Sequence, residues 1–168
     1  KGFRHVLQGE SNRALMLDPN FKQGLKLLPK YNFTYDILIF PDQLKYVDEF
    51  LASNEAMPMV LDHIAKPNLK TGDFAEWRKD IQKLAGYKHL YCKVSGLITE
   101  ADWQNWTYLQ IKPCLDIIFD TFGLDRLMFG SDWPVCNLAG GYDKMLSVVK
   151  QYTSQLNENE QAKFWGDN

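Results

Sequence analysis

The feature that most constrains this sequence is an alternation of two hydrophobic rhythms along its whole length. Short apolar or β-branched runs recur at residues 3–7, 35–40, 59–62, 90–94 and 127–130. Between them lie longer stretches with helical spacing. Residues 42–54 place Leu44, Val47, Phe50 and Leu51 on one stripe, and residues 74–85 do the same with Phe74, Trp77, Ile81, Leu84 and Ala85. Further helices are expected at 19–30, behind the start signal Asp18-Pro19, and at 108–122, where Pro113 either opens the main helix or kinks it. Two more are expected at 142–153, after Gly140-Gly141, and at 158–165.

Strand and helix thus alternate five times. Parallel strands need crossovers of this length, so the pattern predicts an α/β fold with a parallel sheet and helices outside it. Runs such as 35–40 are continuously apolar, as expected where both faces of a strand are buried. No linker, fixed-period repeat or low-complexity stretch divides the chain, so residues 1–168 read as one domain.

Two architectures fit this pattern: an open doubly wound sheet, or part of a (β/α)8 TIM-type barrel. The first often carries a Gly-rich phosphate loop after its first strand. Here that position reads Gln8-Gly9-Glu10-Ser11-Asn12-Arg13, with neither GxGxxG nor GxxxxGK[ST]. A barrel places its chemistry at the C-terminal ends of its strands. The polar residues of this chain gather at those ends.

Composition narrows the function. The formal charge is −2 with no basic stripe, so nucleic acid is not an expected partner. No apolar run approaches the roughly 20 residues that span a bilayer, so no membrane partner is expected either. Cys92, Cys114 and Cys136 are odd in number and far apart, which fits reduced thiols in a cytoplasmic enzyme better than a disulfide framework. The opening Lys1-Gly2-Phe3-Arg4 lacks a signal-peptide core and an initiator Met, so a processed or partial chain is expected.

Candidate chemistry sits at three strand ends. After the third run comes Asp62-His63-Ile64-Ala65-Lys66-Pro67. An imidazole there can bind a metal, polarise a carbonyl or move a proton, or can be a hydrogen-bonded core histidine. The fourth run carries Lys93, and the period of two turns Lys93 and Ser95 to one face. Lys93 holds either a substrate oxygen or a structural carboxylate. The fifth run ends in Gly130-Ser131-Asp132-Trp133-Pro134. Asp132 either caps a following helix or serves as metal ligand and general base, and the loop with Pro134, Asn137 and Gly140-Gly141 favours the second. Trp103 and Trp133 can stack on a sugar-like ring or simply close the mouth by packing. Arg4 is a candidate anion or oxygen clamp, and Ser131 a further substrate contact. Glu100 and Asp102 can supply acid–base groups, though loop carboxylates are commonly just solvated.

Taken in order, the segments Phe3-Arg4-His5-Val6-Leu7-Gln8, Tyr35-Asp36-Ile37-Leu38, Leu61-Asp62-His63-Ile64-Ala65-Lys66-Pro67, Cys92-Lys93-Val94-Ser95-Gly96-Leu97 and Met128-Phe129-Gly130-Ser131-Asp132-Trp133-Pro134-Val135 resemble the amidohydrolase-2 family. The likeness is to its branch of sugar lactonases, and the tail Phe164-Trp165-Gly166-Asp167-Asn168 resembles that family's closing helix. The resemblance implies a (β/α)8 barrel, with about the last five βα units present here. It also implies hydrolysis of a small sugar-type lactone. Asp132 would activate the water, His63 would bind a metal or polarise the carbonyl, and Lys93 and Trp103 would face the substrate. One divalent metal, zinc foremost, would sit on His63 and Asp132.

The sequence departs from that pattern in one respect. The family's opening His-x-His strand has no counterpart, since the histidines are His5, His63 and His89. The expectation is that roughly the first three βα units are absent, and that exposed edge strands favour a homo-oligomer. A related barrel decarboxylase of an unsaturated or aromatic acid is the alternative reaction, and a catalytically incomplete fragment the alternative of another class.

Overall fold

In a computed structural model of the protein, which describes residues 2–168, five strands form one parallel sheet in the order of the sequence. They are β1 (Gly2–His5), β2 (Thr34–Ile37), β3 (Met59–Leu61), β4 (Leu90–Val94) and β5 (Leu127–Phe129). Six α-helices connect and follow them: α1 (Pro19–Leu25), α2 (Val47–Ala52), α3 (Ala75–Lys83), α4 (Tyr108–Phe122), α5 (Tyr142–Thr153) and α6 (Glu158–Ala162). Sequential order without reversal is the arrangement of a barrel wall, and it removes the doubly wound alternative. The chain is five consecutive βα units of the (β/α)8 type.

The register sorts each strand's two faces. Arg4 lies beside Asp36, and Asp36 beside Val60. Val60 lies beside Tyr91, and Lys93 beside Met128. The alternate residues Tyr35, Ile37, Met59, Leu61, Leu90, Cys92 and Val94 are buried and face the helices. The expectation of strands apolar on both faces therefore holds for one face only. The other is partly exposed and carries charge.

Helix boundaries follow local chemistry. The Asp18 carboxylate accepts the N–H groups of Asn20 and Phe21, at 2.8 and 3.2 Å, with Pro19 as the first helical residue. The Thr107 N–H donates to Gln110 Oε1 at 2.7 Å and sets the start of α4. Pro113 therefore does not open that helix, which runs through it. On α4, Ile111, Cys114, Leu115, Ile118 and Phe122 form the buried stripe. Each such apolar side chain contributes about 1.5–3 kcal/mol on burial. The stretch 42–54, expected as one helix, is a 3-10 helix (Pro41–Tyr46) followed by α2. The tail turns back on the sheet: Phe164 is fully buried and Trp165 lies 4.7 Å from Phe129, ring to ring. Among the described residues, no helix is long and apolar enough to cross a membrane.

Candidate active site

The loops leaving the C-terminal ends of β3, β4 and β5 converge on one imidazole. His63 is nearly buried, with its Nδ1 2.7 Å from the buried Ser95 Oγ and its Nε2 3.5 Å from Asp132 Oδ1. Three residues from three different strand ends thus meet, as the sequence suggested for His63 and Asp132. Burial holds the His63 pKa below the ordinary histidine value, against the opposing pull of Asp132 and then Asp62. The ring is therefore neutral near pH 7. With Nδ1 donating to Ser95, Nε2 would carry its lone pair toward Asp132.

Asp132 is aimed by its backbone. Its φ is +56°, an uncommon conformation for a residue with a side chain. The Gly130 N–H still bonds the Val94 carbonyl at 3.1 Å, so β5 stays in register up to the turn. A Cβ on Gly130 would lie 3.0 Å from both Lys93 Cγ and Ser95 Cβ, so a side chain there would push on both of those residues. The segment after Asp132 is more ordered than expected, because it contains a 3-10 helix, Val135–Ala139. Yet the Asp132 carbonyl, not its carboxylate, accepts the Cys136 N–H, at 2.9 Å. The carboxylate is free of capping duty and faces His63 and, at 3.5 Å, the Thr99 hydroxyl.

Beneath this centre lies a charged network. Asp62, with no solvent exposure, accepts Arg4 Nη1 at 2.9 Å and Lys93 Nζ at 2.6 Å. Lys93 also donates to Asp36 at 3.0 Å. Two cations thus face two carboxylates. Burial pulls the Lys93 pKa down, but the bond and charge of Asp62, then of Asp36, outweigh it and leave it above the ordinary lysine value. Lys93 and Ser95 do share a face, as the alternation required. However, Lys93 spends two of its three N–H groups on carboxylates, and Arg4 is likewise paired. Asp36 and Asp62 were not singled out in the sequence. The available signal was an acid inside each of two apolar runs, opposite a cation in a third and a fourth.

The aromatic and loop candidates divide. Trp103 is 51% exposed, and its indole N–H is pinned to the Thr99 carbonyl at 2.8 Å. It borders a cleft of about 490 Å³ formed with Asn68, Lys70, Thr99 and Gln104. Trp133 is 68% exposed. Ser131 Oγ accepts the Trp133 N–H at 3.2 Å, a local turn contact. Glu100 pairs with Lys66 at 3.0 Å, and Asp102 accepts the N–H groups of Gln104 and Asn105. Neither is a free acid–base group.

His63 and Asp132 suit a metal as a pair. Zinc bonds of about 2.0–2.1 Å at a tetrahedral angle separate two donor atoms by roughly 3.3 Å, close to the 3.5 Å between Nε2 and Oδ1. They are two donors of the four that zinc takes. Among the described residues no cluster of three His, Cys, Asp or Glu side chains is positioned to hold a metal.

Comparison with known proteins places the chain in a family. Residues 1–168 match the amidohydrolase family, and the chain belongs to it. It is 43% identical to an L-fucono-1,5-lactonase of Burkholderia multivorans, over 99% of this chain and 60% of that protein. It is 30% identical to an L-fucono-1,5-lactonase of Burkholderia ambifaria, over 100% of this chain and 59% of that protein. A crystal structure of a Burkholderia multivorans amidohydrolase with bound zinc superposes with a TM-score of 0.94 at 43% identity, covering 99% of this chain and 62% of that one. The chain thus spans about 60% of the length of the relatives it matches.

Proposed function

We propose that the protein hydrolyses a sugar-type lactone, an aldonolactone, with Asp132 as general base. The observation that carries this reading is the meeting of His63 Nε2 and Asp132 Oδ1 at the C-terminal mouth of a barrel wall, with Nδ1 anchored on Ser95. The lactonase relatives support the substrate class, and the zinc-bound relative supports a metal.

Asp132 takes a proton from water, and the oxygen adds to the lactone carbonyl carbon. Charge develops on the carbonyl oxygen, and the third N–H of Lys93, beyond the two that meet Asp36 and Asp62, is the cationic donor of the polar face that opposes it. The ring C–O bond then breaks, and the departing alkoxide recovers the proton from Asp132 to give a hydroxy acid. Trp103 offers a ring face for the sugar, and Arg4, Ser131 and Trp133 are the further substrate contacts of this reading. A divalent metal, zinc first, held by His63 and Asp132 together with donors beyond them, would supply Lewis acidity and acidify a bound water.

The test is a substrate panel on the purified protein. Base uptake at constant pH on aldonolactones is the expected result. Carbon dioxide release from unsaturated or aromatic acids would replace the reading with a decarboxylase, and no turnover on any of them would leave a binding protein.

A further inference from the structure

The least expected stretch of backbone lies directly after β3. His63, Ile64, Ala65 and Lys66 all adopt positive φ, at 53°, 48°, 55° and 50°. None is glycine, and Ile64 is β-branched, the kind of residue that tolerates this region least. Such a run persists only where its surroundings over-determine it.

Those surroundings can be named. Upstream, Asp62 is gripped by Arg4 and Lys93. Within the turn, the Lys66 N–H donates to the His63 carbonyl at 2.8 Å. Downstream, Lys66 pairs with Glu100. On the inner side Gly96 leaves just enough room: a Cβ there would lie 2.9 Å from His63 Cβ. From the helical layer, the indole of Trp77, buried on α3, donates its N–H to the Ile64 carbonyl at 2.9 Å.

That last contact differs from the others. It is a fully buried, directional bond to the middle of the turn, made by a residue outside the charged network. A right-handed path through residue 64 would turn the carbonyl elsewhere and leave a buried indole N–H without a partner, which is costly. The left-handed path is also the one that sends the His63 ring toward Ser95 and Asp132. We propose that Trp77 is a positioning residue for His63, selecting through the Ile64 carbonyl the backbone turn that aims the imidazole into the site. This rests on the reading of His63 as part of that site.

The experiment is Trp77→Phe in the full chain, which keeps most of the ring and removes the N–H. The chain has three histidines, so the His63 ring signals in a proton–nitrogen NMR spectrum can be assigned with His63→Gln. In folded Trp77→Phe the His63 signals should move. On a lactone substrate kcat should fall by about tenfold or more with KM within about twofold, the signature of a misplaced group. Trp106→Phe is the control. It removes a comparable indole bond, to the Ala139 carbonyl at 2.9 Å, and should leave the His63 signals in place. Folded Trp77→Phe with unmoved His63 signals and kcat within about twofold would overturn the proposal. If that variant does not fold, hydrogen exchange of the wild-type Lys66 amide decides. Protection matching the slowest β4 amides supports a clamped turn, and fast exchange by local opening refutes it. Absence of lactone turnover in the wild type would sink the hydrolase reading while leaving the NMR test of Trp77 intact.

Discussion

At the β5 side of the sheet, Trp165 packs on Phe129 and the Asn168 side chain donates to the Leu124 and Leu127 carbonyls, both at 2.6 Å. At the β1 side every residue from Gly2 to His5 is exposed, and Phe3 is 53% accessible. Beside β1 opens a cleft of about 360 Å³ lined by Arg4, His5, Phe21, Leu28 and Tyr35. The same contrast runs through the polar groups. Around β3 to β5, His63, Ser95 and Asp62 are buried with partners, whereas Arg4 reaches Asp62 with a side chain 47% exposed and His5 meets Glu10 near the surface. The His63–Asp132 pair sits in the half of the sheet with the closer packing, and the charged network extends from there toward the looser half.

The contrast can be broken experimentally. The largest stability effect should come from Asp62→Ala, which strips the buried carboxylate from two cations. About 2–4 kcal/mol of destabilisation in urea unfolding is expected, below the full cost of an orphaned buried charge because Lys93 keeps Asp36 and Arg4 can turn to water. Ser95→Ala should follow at about 1–3 kcal/mol, since it leaves a buried imidazole nitrogen unsatisfied. A loss below about 0.5 kcal/mol for either would mean that the mouth is no better determined than the β1 edge.

The third effect is a pH dependence. The folded-state His63 pKa lies below the ordinary value of about 6.5, so the folded protein binds fewer protons than the unfolded chain as pH falls. This contribution to stability is intact above about pH 6.5 and is lost progressively as pH drops through the lower folded value. His63→Gln should flatten that part of the profile, and an unchanged slope would place the titration elsewhere. The smallest effect is expected from Arg4→Gln, at or below about 1 kcal/mol, because half-exposed pairs are screened. A larger loss would show that the network is anchored from β1 after all.

Much of this was legible in the residues. The boundaries of β4 and α4 follow from apolar spacing, because both depend on local pattern and a large buried face. Period two placed Lys93 and Ser95 together, and the strand-end rule placed His63 and Asp132 at one mouth. What was not legible depended on contacts across strands. Arg4, Asp36, Asp62 and Lys93 become neighbours only once the register is fixed. The left-handed turn at His63–Lys66 was hidden for a different reason. Its residue types favour the right-handed region, and the contacts that surround the turn, from Trp77, Gly96, the Lys66 N–H and the ion pairs, lie far apart in sequence or depend on the fold.

The proposed hydrolysis stands on Asp132 as the base that activates water. The most direct measurement is lactone hydrolysis at constant pH by Asp132→Asn beside the wild type, with circular dichroism to verify the fold. An intact fold is expected, with a fall in kcat of about 10²-fold or more, the usual contribution of a positioned general base. A folded Asp132→Asn that keeps near-wild-type kcat would contradict it.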